Sequence, residues 1–322
     1  MGQGGKKGLD RKRVLGVMSR AMQSQTAKTP TPMLPKSGPG LYCIEPLLEI
    51  MEACFFTSCI REENPVSIIL VGPSGIAKSM MITHYNGEAL RATDSITSQG
   101  LFDIANGDTK NLIKFLLIPD LNPTMSRKPT TVQSTVASLL SFTADGTVRV
   151  DDGRHNKECK HSPVGIVTSA TDDIYNKHAK KWYALGLRRR IIPLFFKYTI
   201  ETTRHLQKLV REGRIHSIPP PTVKLRLNQK AKPAISDNHL LTIESLSIRF
   251  SILLGKLKMD PRGESIPKWY VREVVPIAPQ ITLNTLAKAH ALRDDRGTVT
   301  ESDMDFIARF LDFCDPEHPR EI

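Results

Sequence analysis

The chain has 322 residues, of which 40% are hydrophobic and 24% charged, and its formal net charge is +12. That length can bury a sizeable core and predicts one large or two modest domains, and the composition excludes a disordered chain. No apolar run approaches the roughly 20 residues of a membrane span, and no signal-peptide apolar region stands at the start, so neither a membrane protein nor a secreted one is expected. Five scattered cysteines (Cys43, Cys54, Cys59, Cys159, Cys314) fit reduced thiols in a cytoplasmic setting.

Residues 1–40 hold eight Lys/Arg against one Asp, which is +7 of the +12. The stretch ends in Thr29-Pro-Thr-Pro-Met-Leu-Pro35 and Gly38-Pro-Gly40, so it reads as a basic flexible arm closed by a Pro/Gly linker. Leu9, Val14, Leu15, Val17, Met18 and Met22 have the spacing of one short helix inside it. The excess of positive charge favours polyanions as partners. A DNA-binding arm, a docking element and an inert tail all remain open. From Ile44 to Ile60, Leu47, Leu48, Ile50, Met51 and Phe55 mark the apolar face of a helix.

The stretch from Val66 to Ser79 carries the strongest signal. The apolar run Ile68 to Val71 breaks at Gly72, passes through Pro73, Ser74, Gly75, Ile76 and Ala77, and reaches Lys78, Ser79 and Met80. Strand, glycine-bearing loop and helix start, in that order, make a phosphate cradle, because small residues let backbone N–H groups turn toward phosphate oxygens. In that cradle Lys78 lies over the β- and γ-phosphates and the Ser79 hydroxyl ligates Mg²⁺. The spacing from Gly72 to Lys78 is that of a Walker A loop, with Ala77 where glycine usually precedes the lysine. Ala77 costs little there if its φ is negative.

Gly100 to Ile104 predicts a short helix, and Phe115-Leu-Leu-Ile118 a second buried strand, followed by Pro119, Asp120, Leu121 and Asn122. A carboxylate at the end of a buried strand beside a phosphate loop is placed to hold the Mg²⁺, although Asp120 as a plain turn residue is the alternative. A helix is expected over Thr130 to Ser141 and a hairpin over Gly146 to Gly153, turning at Asp152-Gly153. Pro163 to Thr171 is a third buried strand whose end becomes hydroxyl-rich. In open α/β sheets ligands sit at the carboxyl ends of strands, so Thr168, Ser169 and Thr171 are candidates to face a γ-phosphate or the attacking water.

Lys177 to Arg190 contains six Lys/Arg and no acid, and Arg188, Arg189 and Arg190 lead straight into the apolar strand from Ile191 to Phe196. Three arginines ahead of a core strand cannot all be buried cheaply, so at least one meets an anion or a partner. Beyond Leu206, Pro219-Pro-Pro221 and the basic residues Lys224 to Lys232 form a connector. Helices follow at Leu240 to Leu257, Ile281 to Leu292 and Met304 to Phe313, the last capped by Thr300 with Asp303 as capping-box partner.

Taken together, this order resembles the AAA+ ATPases, and within them the branch of MoxR-type ATPases and minichromosome-maintenance helicases. Gly72 to Ser79 is similar to the Ala-Lys-Ser version of Walker A in the latter, and Ala287 to Asp303 to their lid segment. The resemblance covers roughly residues 41–313. It implies an α/β P-loop core, a parallel sheet sandwiched by helices, followed by a small α-helical lid. The expected organisation is an arm at 1–40, the core at 41–215, a connector at 216–235 and the lid at 236–322.

It also implies ATP and Mg²⁺ as cofactors, Gly72 to Met80 as the nucleotide loop, and Ser79 and Asp120 at the metal. Thr168 or Ser169 takes the place of sensor 1. Arg190 matches the arginine finger that completes a neighbour's site, with Arg188 and Arg189 as alternatives. A ring-forming motor or remodeller, hexameric in the family pattern, acting on DNA or DNA-bound complexes, is the implied function. A MoxR-type chaperone with a protein client, and an ATP-switched DNA-binding scaffold, are the rivals. Two departures stand out. Leu121 and Asn122 occupy the position where the family has a glutamate, so Asn122 can orient a water but not take its proton, and hydrolysis is expected to be slow. Nor is there a clear sensor-2 arginine, Arg249 and Arg272 being the nearest.

Two weaker signals remain. His155, Cys159 and His161 fit no common zinc spacing and read as a polar loop. Arg149, Arg154, Lys157 and Lys160 lie where related helicases carry a pore hairpin, so they are candidates to touch a nucleic-acid backbone. Trp182 and Tyr183 are candidates to stack on a base, with a place in the core as the alternative.

Overall fold

A computed structural model describes residues 44–151, 156–213, 223, 225, 231–258, 269–272 and 274–322. The arm at 1–40, the expected turn at Asp152-Gly153, Arg154, His155 and most of the 216–235 connector lie outside the described residues.

Four apolar runs become the centre of a parallel sheet: β1 (Ser67–Gly72), β3 (Phe115–Ile118), β6 (Gly165–Thr171) and β7 (Ile191–Lys197). Nearly every residue in them is buried, which is why they read as continuous apolar runs and not as alternating ones. Two short strands, β2 (Leu90–Ala92) and β10 (Arg320–Glu321), complete the edges. The order is β10-β7-β1-β6-β3-β2 and every pairing is parallel. With helices on both faces, this is a Rossmann-like α/β architecture.

One face is covered by α1 (Glu45–Thr57), α2 (Lys78–Thr83) and three later helices, α8 (Asp237–Gly255), α9 (Ile277–Arg293) and α10 (Glu301–Phe313). Leu47, Ile50, Met51 and Cys54 repeat at helical spacing along α1 and are all buried. They share one apolar cluster with Ile68 and Leu70 of β1, Phe250 of α8, Leu286 of α9 and Phe306 and Phe310 of α10. The described helices of 236–322 therefore pack on the sheet and on α1 through the same core as the strands. The capping box expected at Thr300 and Asp303 is present.

The other face is covered by α3 (Ser98–Gly107), α5 (Pro129–Ala144) and α6 (Asp172–Ala184). Ile69, Val71, Leu116, Ile118, Leu139, Phe142, Tyr175 and Trp182 form the second cluster. Each large apolar side chain so buried contributes roughly 2 kcal/mol. Trp182 is 2% exposed and edge-on to Tyr175, so it belongs to the core.

A hairpin of β4 (Thr147–Asp151) and β5 (Asn156–Lys160) lies against α3 and α5, and a second, β8 (Lys256–Lys258) with β9 (Trp269–Val271), follows α8. The first is longer than the sequence suggests. Two more helices are short or exposed: α4 (Asn122–Met125) directly after β3, and α7 (Ile200–Arg211) after β7. Helix α9 starts at Ile277 and not Ile281, because Pro279 is tolerated in a first turn where its missing N–H is not needed. Among the described residues no helix is long and apolar enough to cross a membrane, and Cys54, Cys59, Cys159 and Cys314 form no disulfide.

Candidate functional site

The Gly72–Ser79 loop leaves the carboxyl end of β1 in the middle of the sheet. A Cβ on Gly72 would stand 2.4 Å from the carbonyl oxygen of Phe196, so only glycine fits where β1 passes β7. Gly75 has φ +84°, which glycine adopts freely. Ala77 has φ +59°, also left-handed. The condition for a cheap substitution, a negative φ, is not met: the usual glycine is missing from a position that calls for it, at a cost of roughly 1–2 kcal/mol.

Lys78 is 7% exposed. Its ammonium donates to the carbonyls of Gly72 (2.8 Å) and Pro73 (2.6 Å), folding back over the loop. Burial pushes its pKa down, and the charges of Asp172 and then Asp120 oppose that shift. Two carboxylates thus share the neighbourhood of one buried cation.

Ser79 reaches the end of β3, one residue short of Asp120. The Ser79 hydroxyl donates to the carbonyl of Pro119 at 3.0 Å, the residue before Asp120. Ser169 donates to that same carbonyl at 2.6 Å, and the Leu121 N–H donates to the carbonyl of Ser169 at 2.9 Å. The polar end of β6 is therefore knitted to the end of β3 beside the loop. Asp120 Oδ1 accepts the backbone N–H of Asn122 at 2.9 Å, starting α4, so Asp120 is a turn residue as well as a carboxylate at the site. The Asn122 Oδ1 is buried and has no hydrogen-bond partner among the described residues.

Thr168 is placed differently. It shares its strand face with Ile166 and Ala170, which belong to the α3/α5/α6 cluster, whereas Val167 lies in the cluster that holds Met81 and Ile82 of α2. Strand alternation puts Ser169 and Thr171 on the face of the loop helix and Thr168, fully buried, on the far one. Of the two sensor-1 candidates, Ser169 faces the loop and Thr168 does not. Thr171 is the register partner of Gly72 and so sits at the same level as the loop.

The three arginines separate by burial. Arg188 is 2% exposed, donates to the carbonyl of Lys256 at 2.6 Å, and lies 5.6 Å over the Tyr175 ring. That burial removes it from the alternatives for a residue reaching another chain. Arg189 and Arg190 are exposed, the latter donating to the carbonyl of Leu140. Both stand at the amino end of β7, where Ile191 pairs with Ser67. The Gly72 loop is six strand residues away, roughly 20 Å. Two adjoining cavities, of about 200 and 480 Å³, open at this amino edge, and Arg189, Ile192 and Thr282 line both.

Other candidates are accounted for locally. Arg249 pairs with Asp312 at 2.8 Å, and Arg272 lies 5.3 Å from the centre of the Tyr183 ring, so neither is joined to the loop by these contacts. His161 is 8% exposed, with Nδ1 at 2.7 Å from the Ser162 carbonyl and Nε2 at 2.9 Å from Asp108. Both of its nitrogens are engaged in fixing the end of β5, which corrects the reading of a polar loop there. Asp315, Glu317 and His318 cluster within 4.8 Å, but the Lys256 ammonium already sits on Asp315 (2.9 Å) and Glu317 (3.1 Å). Arg149 pairs with Glu158 across the exposed hairpin at 2.9 Å, and Lys157 and Lys160 are exposed beside it.

Asp172 is the residue that sequence reading missed. It follows the hydroxyl-rich end of β6, and only the pairing of β6 with β1 brings it to the loop. What fold and site define together is a parallel-sheet α/β protein with a glycine loop, a buried lysine and two carboxylates at the carboxyl edge. No family model matches the chain, and no curated protein matches it either.

Proposed function

We propose that the chain is an ATP-binding P-loop ATPase of the AAA+ type, similar to the MoxR and minichromosome-maintenance branch, that works as a homo-oligomeric ring on DNA or DNA-bound complexes. The observation that carries this reading is the convergence of Ser79 and Ser169 on the carbonyl of Pro119, which brings the loop hydroxyl to the residue before Asp120. These residues fit a magnesium–triphosphate. Gly72 lets the start of the loop pass the Phe196 carbonyl, and Gly75 and Ala77 turn the loop through the left-handed conformations that make a backbone anion nest. Lys78 would exchange its two carbonyl partners for β- and γ-phosphate oxygens, and Ser79 and Asp120 would hold the Mg²⁺. When bound, the metal would neutralise charge developing on the phosphates.

Arg189 and Arg190 lie too far from their own loop to serve it. Their exposure beside open cavities supports a role in completing the site of a neighbouring copy. Arg149, Lys157 and Lys160 on the exposed hairpin support contact with a nucleic-acid backbone. A scaffold that binds ATP and hydrolyses it slowly is the second reading. One observation favours it: Leu121, next to Asp120, is apolar and 3% exposed.

The test is a mixing experiment on the full chain. Lys78→Ala and Arg190→Ala, and in parallel Lys78→Ala and Arg189→Ala, are each assayed for ATP turnover alone and combined, with and without DNA. Restoration on mixing in one pair supports a site shared between copies. Turnover by Lys78→Ala equal to that of the unaltered chain would remove the loop from the reaction.

A further inference from the structure

We propose that Asp172 is the carboxylate that accepts the proton of the attacking water, in the place left open by Leu121. This rests on the ATPase reading above and adds a residue to it.

The argument is one of register. β6 lies between β1, which carries the loop, and β3, which leads to Asp120. Thr171 pairs with Gly72, so Asp172 is one residue beyond the level at which the loop begins. On the other side Ile118 pairs with Thr168, and Asp120 is two residues further on. The two aspartates thus rise from neighbouring strands at the same edge. The Lys78 ammonium sits at the carbonyls of Gly72 and Pro73, the part of the loop next to Thr171 and Asp172. The opposition of Asp172 to the downward shift of Lys78 exceeds that of Asp120, which agrees with this placement.

The neighbouring candidates are worse placed. Asp120 is the residue expected at the metal. Asn122 has no basic oxygen, and the Leu121 side chain is packed in the cluster on the far face. Asp173, the next residue, is exposed and serves as a built-in control. In the step itself the water oxygen forms a bond to the γ-phosphorus while one water proton passes to the Asp172 carboxylate. The bond from the γ-phosphorus to the bridging oxygen breaks, its electron pair leaving on ADP. The proton then returns to solvent as phosphate departs. A carboxylate in this role contributes on the order of 10²–10⁴-fold.

Asp172 is also the first residue of α6, where a negative charge stabilises the helix by roughly 0.3–1 kcal/mol. The test must separate that from chemistry. Turnover, affinity for a fluorescent ATP analogue with Mg²⁺, and thermal midpoint are measured on the full chain for Asp172→Asn, Asp173→Asn and Lys78→Ala. Asp172→Asn is expected to lose about 100-fold or more in turnover. Its nucleotide affinity is expected to be unchanged or tighter, since a charge that repels the triphosphate is gone. Asp173→Asn is expected to match the unaltered chain. Turnover by Asp172→Asn within about threefold of normal, or affinity lost in step with turnover, would overturn the proposal and leave the ATPase reading standing. An unaltered chain that binds ATP without hydrolysing it would overturn this proposal together with the hydrolysis it rests on, leaving only nucleotide binding. Failure of the ATPase reading shows itself separately, as an unaltered chain that binds no nucleotide, and it takes this proposal with it.

Discussion

Ser79 and Ser169 donate to one acceptor, the carbonyl oxygen of Pro119, at 3.0 and 2.6 Å. The exposed Ser79 is bound there by a bond that a metal can replace, whereas Ser169 is 2% exposed and holds two strand ends together. Ser79→Ala is therefore expected to change stability by less than about 1 kcal/mol while lowering nucleotide affinity in Mg²⁺ by about tenfold or more. Ser169→Ala is expected to cost about 1–2 kcal/mol of stability, because it removes a buried bond. Nucleotide titrations with Mg²⁺ and with EDTA, beside urea unfolding, check both.

The loop offers a substitution in each direction. Ala77→Gly relieves the left-handed strain at φ +59° and is expected to stabilise by about 0.5–1 kcal/mol, net of the greater freedom of glycine in the unfolded chain. Gly72→Ala drives a methyl into the Phe196 carbonyl and is expected to destabilise by about 1–3 kcal/mol and to impair nucleotide binding. Thermal midpoints of the two variants should move in opposite directions.

His290 of α9 joins three elements. Its Nδ1 is 2.6 Å from Asp303 of α10 and its Nε2 3.1 Å from Glu49 of α1, while its ring stacks on Phe306. Burial alone would lower its pKa, but the bonds to Asp303 and Glu49 outweigh that and raise it. Glu49 moves the other way, its bond to His290 holding it at about 2 against burial, with help from Arg309 and Arg293. The His290 contribution is thus complete below the unfolded value near 6.5 and is lost as pH rises through the raised folded value. The Glu49 contribution is complete above about 4.5 and is lost as pH falls toward about 2. His290→Gln is expected to destabilise by about 3 kcal/mol at pH 6 and to remove most of the decline in unfolding free energy between pH 6 and pH 9. Urea unfolding at those two pH values measures it, and a decline as steep as that of the unaltered chain would count against the pairing.

Arg188, Arg189 and Arg190 should divide into two kinds. Arg188→Ala removes a buried guanidinium from the Lys256 carbonyl and the Tyr175 ring and is expected to cost about 2–4 kcal/mol. Arg189→Ala and Arg190→Ala are expected to stay within about 1 kcal/mol of normal stability, with any loss confined to turnover or assembly. Thermal midpoints beside sedimentation with ATP distinguish the two classes.

Much of the sheet was legible because strands covered on both faces are written as unbroken apolar runs: Ile68 to Val71, Phe115 to Ile118 and Ile191 to Phe196. The two edge strands were not, since Leu90–Ala92 and Arg320–Glu321 are too short to make an apolar run and are defined only by their neighbours. The pairing of Ser79 with the end of β3 followed from residue type and spacing alone. The face of Thr168 did not, because a hydroxyl-rich strand end looks the same whichever way it alternates. Asp172 stayed hidden for a related reason: its nearness to Lys78 depends on which strand lies next to β1. Three consecutive arginines gave no sign of which one turns inward until the turn at Leu187–Arg189 and the Lys256 carbonyl fixed Arg188.

The direct measurement is equilibrium binding of ATP to the full chain by calorimetry, with Mg²⁺ and with EDTA, for the unaltered protein, Lys78→Ala and Asp120→Asn. Saturable binding to the unaltered chain that weakens at least about tenfold without Mg²⁺ and is lost in Lys78→Ala is the expected result. Equal heats from the unaltered chain and Lys78→Ala, or no binding to either, would contradict a triphosphate seat at Gly72–Ser79.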